Sequence, residues 1–410
     1  MPTATTDATS VLGTPFALPG DATIKNRLVK AAMSEQLANV TGAPTEALEV
    51  LYARWARGGA GMLITGNVMI DQRSIGEPRN VVVEDERDIA ALRRWAAAAT
   101  AEDTTAIVQI NHPGRQSIVG MSSRVVAPSA IPIAYPGAAK PRALTGDEID
   151  ELIARFAETA RIVVDAGFDG VQLHGAHGYL ISQFLSPAAN QRDDEWGGDP
   201  ERRRRFLLEV TRAVRAAIGP DRILAIKLNS SDFQRGGFTE EESLDVIAQL
   251  DAESLDLLEI SGGTYESPAM TGSAAASTRS REAYFLAFAE RVRQITTVPL
   301  MVTGGFRTGE GMTDAITTSA TDLVGLARPL ALEPELPAPL TQDRAATRSS
   351  FRLKPLGIKK LDAAAELWWT QHQLQRIGAG KDPNPAYGTR RALLTALRSN
   401  GINTLRRRRG

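Results

Sequence analysis

An alternation of short apolar runs with helical patterns constrains the fold of this chain more than any other feature. It extends from about residue 24 to residue 330, and each apolar run is followed by a stretch with helical spacing. Eight strands in βα alternation over about 300 residues predict a (β/α)8 TIM barrel, and a doubly wound open sheet is the alternative. The candidate strands are Leu28–Met33, Met62–Asn67, Thr105–Ile110, Gly170–Leu173, Ile223–Leu228, Leu257–Ser261, Pro299–Thr303 and Asp322–Leu326.

Helix signals support this register. Thr145 with Glu148, and Thr239 with Glu242, have the spacing of a capping box. The alternation stops near residue 340, and one further amphipathic helix is predicted in the tail. We therefore expect a barrel over residues 1–340 and a C-terminal helical extension over residues 341–410, packed on the barrel or on another subunit. The predicted helices are Thr45–Gly58, Glu86–Ala101, Asp147–Ala166, Pro200–Ile218, Glu240–Ala252, Arg281–Thr296, Gly309–Thr318 and Leu361–Ile377.

The composition narrows the function. Charges nearly balance, with 47 Lys and Arg against 48 Asp and Glu, so nucleic acid and membrane surfaces are not expected partners. No apolar run reaches the ~18 residues of a membrane-spanning helix. The first residues lack the basic start and apolar core of a signal peptide, which favours a cytoplasmic protein. The absence of cysteine excludes disulfides, a thiolate nucleophile and a cysteine-ligated iron–sulfur cluster.

Titratable side chains follow the fourth predicted strand at once. His174, His177 and Tyr179 lie within six positions of each other, and parallel α/β folds build active sites from such strand ends. The two histidines could donate two N–H bonds to one oxygen that gains negative charge. A zinc site and a pair of structural histidines are the alternatives, although no third metal ligand is evident. Tyr179 could donate a proton to a carbon, or it could pack at the barrel rim.

Further candidates lie at the ends of other strands. Gly304 and Gly305 follow the seventh strand and Arg328 follows the eighth. The loops at these two places in a barrel often bind a phosphate through backbone N–H groups. Gln109 and Lys227 interrupt apolar strands. A lysine inside a barrel is costly to bury unless it meets an anion, and both residues could instead be solvated strand ends.

Five segments, in order along the chain, resemble the Old Yellow Enzyme family of flavin-dependent ene-reductases. The most extensive reads HGAHGYL and then FLSPAANQRDDEWGG, from His174 to Gly198. The resemblance extends from about Leu18 to Pro334. The other four segments are Ile24–Glu35, His112–Gln116, Gly262–Glu266 and Gly304–Arg307.

The resemblance implies a barrel that binds FMN, accepts hydride from NADH or NADPH and passes it to an activated alkene. Lys227 matches a position usually held by arginine, where it would face the pyrimidine edge of the flavin. A cation there favours the reduced flavin, because it neutralises the charge formed on reduction. The residues matched to the flavin ring are Ala31, Ala32, Met33, Ser34, Gly66 and Gln109, and those matched to the phosphate end are Gly304, Gly305, Ala327 and Arg328.

For the substrate, the resemblance implies that His174 and His177 bind the carbonyl oxygen of an enone-like acceptor and that Tyr179 protonates its α-carbon. Nicotinamide and acceptor would occupy one pocket in turn, which gives ping-pong kinetics. Two alternatives stay open. One is an FMN-dependent dehydrogenase or demethylase that oxidises an amine on the same fold. The other is a flavin-free, phosphate-binding lyase or isomerase that uses Lys227 as a Schiff base. A homodimer or higher homo-oligomer is expected.

Overall fold

Eight parallel strands close into a barrel. The computed structural model describes residues 10–134, 137–263, 285–306, 308–342, 353 and 359–395. The fourth strand pairs with both the third and the fifth, and the eighth pairs with the first, so these eight strands form a closed ring. The predicted barrel is confirmed, and the doubly wound sheet is wrong. The strands are β1 Leu28–Lys30, β2 Met62–Ile64, β3 Thr105–Asn111, β4 Gly170–Gly175, β5 Ile223–Asn229, β6 Leu257–Ser261, β7 Leu300–Thr303 and β8 Leu323–Leu326.

Helices follow the strands, and several begin at a residue whose side chain accepts a hydrogen bond from the first turn. Thr145 and Thr239 both close the predicted capping boxes, with Glu148 and Glu242 respectively. The sequence did not indicate α4, a short helix directly after Tyr179, and residues 281–284 of one predicted helix lie outside the described residues. The helices are α1 Glu46–Arg57, α2 Ile89–Ala99, α3 Gly146–Asp165, α4 Leu180–Leu185, α5 Pro200–Ile218, α6 Glu240–Leu250, α7 Leu286–Arg293, α8 Gly309–Thr317, α9 Pro337–Gln342 and α10 Lys359–Gly378.

The apolar core has two layers separated by the strands. The larger layer lies between the barrel and its helices, and the smaller fills the barrel interior. The interior layer includes Ile107, Ala225 and Leu257, which alternate along their strands with outward-facing residues. A short hairpin, Phe16–Ala17 with Thr23–Ile24, covers the N-terminal end of this layer through Ile24. Toward the opposite, C-terminal end the buried side chains of the strands become polar, as at Gln172 and Lys227.

Two strands are shorter than predicted at that C-terminal end. β1 ends at Lys30 and β2 at Ile64, whereas the predicted strands continue for three residues more. The backbone N–H of Gly66 donates to the Glu35 carboxylate (3.0 Å) and so leaves the strand ladder. The residues after both strands therefore form loops that lie against each other on the C-terminal face.

The C-terminal extension contacts the barrel through α10 and α1. A Cβ placed on Gly378 would lie 2.7 Å from the carbonyl oxygen of Ala47, so these two elements approach closely. Arg54 of α1 also pairs with Asp382 beyond the end of α10 (2.8 Å). The division of the chain at residue 340 stays a prediction. None of the helices in the described part of the chain is long and apolar enough to cross a membrane.

Candidate active site

Four polar side chains form a layer above the apolar interior of the barrel. They lie on the neighbouring strands β3 to β6 and are Gln109, Gln172, Lys227 and Glu259. Gln109 is in register with Gln172, and Lys227 is in register with Glu259 and with His174, two positions after Gln172. Gln109 Nε2 donates to Gln172 Oε1 (2.7 Å), and Gln172 Nε2 donates to Glu259 Oε2 (2.8 Å). Glu259 Oε1 lies 2.8 Å from Lys227 Nζ. The layer is thus one connected network.

The two charges in this network are buried. Lys227 is 4% exposed and Glu259 is fully buried, so Lys227 is not a solvated strand end. Burying a charge is tolerated when an opposite charge and hydrogen bonds accompany it, and each of these two residues supplies the other's counter-charge. The anion that the sequence required for Lys227 is therefore present within the protein.

The two histidines lie next to this network, with ring centroids 5.1 Å apart. The Ala176 N–H donates to His174 Nδ1 (3.3 Å), so the ring hydrogen is assigned to Nε2, which can donate into the pocket. His177 adopts a φ of 60°, and its Nε2 lies 2.8 Å from Ser261 Oγ. Burial is the main cause that holds the pKa of both rings well below 6.5. The charges of His177 and then Lys227 lower the pKa of His174 further, and the charge of Lys227 lowers that of His177. Both rings are therefore neutral at neutral pH, and His177 can donate from Nδ1 when its Nε2 accepts from the Ser261 hydroxyl.

Metal binding by the histidines has no support among the described residues. In this part of the chain, no group of three or more histidine, aspartate or glutamate side chains is arranged to hold an ion. The neighbours of the two rings are instead Ser261, Tyr179 and the Lys227 charge.

Tyr179 completes the cluster. Its ring centroid lies 4.8 Å from that of His174, and the residue is 4% exposed. Asn67 Nδ2 donates to the phenol oxygen (3.4 Å), while Asn111 Nδ2 donates to Asn67 Oδ1 (3.3 Å). This chain of amide groups positions the phenol oxygen. The structure thus brings His174, His177 and Tyr179 together, as the sequence predicted.

The loops after β1 and β2 form a second wall. A Cβ on Gly66 would lie 2.2 Å from the carbonyl oxygen of Met33, so only glycine allows the loop of Ala31–Ser34 to approach so closely. The Ser34 hydroxyl donates to the Glu77 carboxylate. Ser34 is one of the residues that the resemblance matches to the flavin ring. With its hydrogen engaged by Glu77, Ser34 can offer only its lone pairs.

The loops after β7 and β8 have the features of an anion site. Gly304 and Gly305 have φ values of 111° and 90°, which let their backbone turn where a side chain would be strained. The hydroxyl of Thr303 is buried, and no described residue bonds to it. Arg328 follows Ala327 and forms an ion pair with Glu366 of α10. Backbone N–H groups, a hydroxyl and a guanidinium fit a phosphate group.

Several residues of the site were missed in the sequence. Gln172 and Glu259 interrupt apolar strands at alternate positions, the same signal that identified Gln109 and Lys227, so a stricter reading could have found them. Asn67 and Ser261 gave no signal, because their partners are 112 and 84 residues away.

Comparison with known proteins agrees with this geometry. The model of a family described as "NADH:flavin oxidoreductase / NADH oxidase family" matches residues 12–347. The chain is similar to the NADH-dependent flavin oxidoreductase iliE of Hypocrea jecorina, with 39% identity over 352 residues, 79% of this chain and 87% of the relative.

Solved structures show the same barrel. One is an Old Yellow Enzyme homologue from Zymomonas mobilis, with 27% identity and a TM-score of 0.69 over 82% of this chain and 94% of that chain. Another is a 2-naphthoyl-CoA reductase in complex with 2-naphthoyl-CoA, with 27% identity and a TM-score of 0.76. The match covers 82% of this chain and 52% of that reductase, which is a longer protein.

Proposed function

The chain belongs to the NADH:flavin oxidoreductase / NADH oxidase family, and we propose that it reduces the activated C=C bond of an α,β-unsaturated carbonyl compound. It is an NADH-dependent flavin oxidoreductase with FMN as its cofactor. FMN, when bound, supplies the transfer of hydride from the nicotinamide to the acceptor. NADPH is the alternative donor.

The observation that carries the proposal is the neutral histidine pair beside a buried phenol. His174 and His177 are 5.1 Å apart between ring centroids, so one carbonyl oxygen can accept a bond from each. Donors fixed on an oxygen that gains negative charge lower the barrier to attack on the conjugated double bond. Tyr179 then gives its phenol proton to the α-carbon and recovers a proton from solvent. One pocket serves nicotinamide and acceptor in turn, which gives ping-pong kinetics.

The flavin ring is assigned to the space between the loop of Ala31–Ser34 with Gly66 and the polar layer with Gln109 and Lys227. The phosphate is assigned to Gly304, Gly305, Ala327 and Arg328. These residues fit the group because the two glycines permit close approach of the backbone, and because the buried Thr303 hydroxyl lacks a partner among the described residues. A homodimer or higher homo-oligomer and a cytoplasmic location remain our proposals.

Two rival functions are less well supported. An amine-oxidising enzyme would present no acceptor oxygen to the histidine pair. A lyase that forms a Schiff base on Lys227 needs a neutral, accessible amine. Lys227 is instead 4% exposed and engaged in an ion pair with Glu259 (2.8 Å), so its amine is not accessible to a substrate carbonyl.

The test is an anaerobic absorbance experiment on the FMN-loaded enzyme. NADH is expected to bleach the flavin bands, and cyclohexenone is expected to restore them without oxygen. The double variant His174→Ala/His177→Ala should bleach normally and fail to recover. His372→Ala is the matched control, because His372 lies in α10 and stacks on Tyr387. Bleaching without recovery on any enone would overturn enone reduction, and recovery in the double variant would remove the histidines from the mechanism.

A further inference from the structure

Glu259 is a buried carboxylate for which the proposed reaction has no role. It is fully buried near the C-terminal end of β6, on the strand next to Lys227. Its Oε2 accepts a hydrogen bond from Gln172. Its Oε1 meets the Lys227 ammonium at 2.8 Å without an aligned hydrogen bond, so the contact is chiefly electrostatic. Burying a carboxylate in such surroundings costs free energy unless its charge is paired and hydrogen-bonded.

The neighbouring charges show what this carboxylate does to the site. Within the part of the chain that the structure describes, Lys30 and Lys227 are the lysines classed as buried. Lys30 contacts Tyr52 of α1, and Glu35, in the loop after β1, lies 3.6 Å from its ammonium. Lys227 has Glu259. Each buried lysine therefore has a carboxylate beside it, and the cation assigned to the flavin edge has its counter-charge within the same layer.

Reduction adds negative charge to a bound flavin, so a cation at its edge raises the reduction potential. A carboxylate close behind that cation opposes the effect, because its charge is equal and opposite and only slightly farther from the ring. We propose that Glu259 sets the flavin's reduction potential by neutralising Lys227, and so keeps it low enough to drive reduction of weakly activated alkenes. Glu259 is thus a positioning residue that acts through Lys227. The inference rests on the proposed placement of FMN.

The first variant is Glu259→Gln, which removes the charge and retains the size of the side chain. The midpoint potential of the FMN-bound enzyme is measured by equilibration with a reference dye. We expect a shift to more positive potential equal to a tenfold or larger change in the ratio of flavin affinities, reduced over oxidised, which is about 30 mV for two electrons. A potential that stays near that of the wild-type enzyme would overturn the proposal.

Asp256→Asn is the matched control. Asp256 is a buried carboxylate that directly precedes β6 at its other end, where it accepts from the Leu224 N–H and pairs with Arg215. The chemical change is the same, but the charge removed lies at the N-terminal end of the barrel. The midpoint potential of Asp256→Asn is expected to equal that of the wild-type enzyme. An equal shift in both variants would mean that general destabilisation, and not the charge near the flavin, moves the potential.

A second variant keeps the proposal testable if Glu259→Gln fails to fold. Lys227→Met/Glu259→Met removes both charges, and apolar replacement of a buried ion pair is often tolerated. The midpoint potential of this double variant should equal the wild-type value, because the charges of Lys227 and Glu259 cancel at the flavin ring. A clearly more negative potential would show that Lys227 acts as an uncompensated cation, which would overturn the proposal. These measurements need bound FMN and no acceptor, so a failure of the enone test would leave them interpretable.

Discussion

The phenol of Tyr179 is positioned by Asn67 and His174. Asn67 donates to the phenol oxygen and the His174 ring packs against the tyrosine ring, so Tyr179→Phe should keep the pocket's shape. We expect this variant to slow reoxidation of the reduced enzyme by cyclohexenone about 10²–10⁴-fold, the usual contribution of a general acid. Stopped-flow absorbance measures this rate and the rate of reduction by NADH separately.

Reduction by NADH should be unchanged in Tyr179→Phe, because the nicotinamide reaction needs no proton from the phenol. Tyr387→Phe, in the C-terminal extension, removes a hydroxyl that contacts Thr395 and serves as the control. If both half-reactions of Tyr179→Phe slow equally, Tyr179 shapes the pocket and is not the acid.

The histidine pair also predicts a pH profile. Burial and the charge of Lys227 lower the pKa of His177, and burial with the charges of His177 and Lys227 lowers that of His174, both well below 6.5. The rings are therefore already neutral at pH 6 and do not change charge as the pH rises to 8. We expect kcat/KM for cyclohexenone to stay flat from pH 6 to pH 8, as measured at saturating NADH. A fall centred near pH 6.5 would mean that a charged histidine binds the carbonyl.

At the scale of elements, the contact between the loops after β1 and β2 depends on one glycine. A Cβ on Gly66 would lie 2.0 Å from Glu35 Oε2 and 2.2 Å from the Met33 carbonyl oxygen, both too close to remain in place. Gly66→Ala should therefore separate the two loops and release FMN. The ratio of flavin to protein absorbance after gel filtration measures the loss.

Gly146→Ala is the control for that substitution. Gly146 begins α3 and has no atom within 4 Å of the position of its Cβ, so alanine fits there and suits a helix. We expect full FMN occupancy and an unchanged or higher melting temperature. Full occupancy in Gly66→Ala as well would place the flavin away from these loops.

The C-terminal extension contacts the site at both proposed ends of the flavin. Glu366 of α10 pairs with Arg328, and Gln371 donates to the Glu77 carboxylate (3.3 Å), which also accepts from Ser34. Periodicity predicted the helix and its approximate limits. It gave no information on these contacts, because they join residues 38 and 294 positions apart along the chain.

At the scale of the whole molecule, the barrel was the most predictable feature, since period-two apolar runs and capped helices are local signals. All eight predicted strands exist. His174, Lys227 and Gly304 were predicted at strand ends, and the strands concerned do end on one face of the barrel. The predicted end of β2 was wrong because the Gly66 N–H donates to the Glu35 carboxylate, 31 residues earlier in the chain, and not to a neighbouring strand. The pairing of Lys227 with Glu259 required knowledge of which strands are neighbours.

The histidines also determine how the whole fold responds to acid. Burial lowers the pKa of His112 to about 4 from its ordinary 6.5, and the pKa values of His174 and His177 are lowered too. Below pH 6.5 the unfolded chain therefore binds protons that the folded protein excludes. Above pH 6.5 this difference does not lower the free energy of unfolding. As the pH falls from 6.5 toward the pKa of the folded state, the free energy of unfolding decreases. For His112 alone the loss amounts to about 3 kcal/mol between pH 6.5 and pH 4.

His112→Gln tests this account through the slope of stability with pH. His112 is 1% exposed; its Nδ1 accepts the Gly114 N–H (3.1 Å), and no described residue bonds to its Nε2. Glutamine can accept the same bond but does not titrate. Urea unfolding at saturating FMN, repeated from pH 7.5 to pH 4.5, should show a slope smaller than wild type by about 1.4 kcal/mol per pH unit near pH 5. Burial raises the pKa of Asp232, an effect of opposite sign, but it is common to both proteins and cancels in the comparison. Equal slopes would mean that water reaches the His112 ring and that its proton is not excluded by the fold.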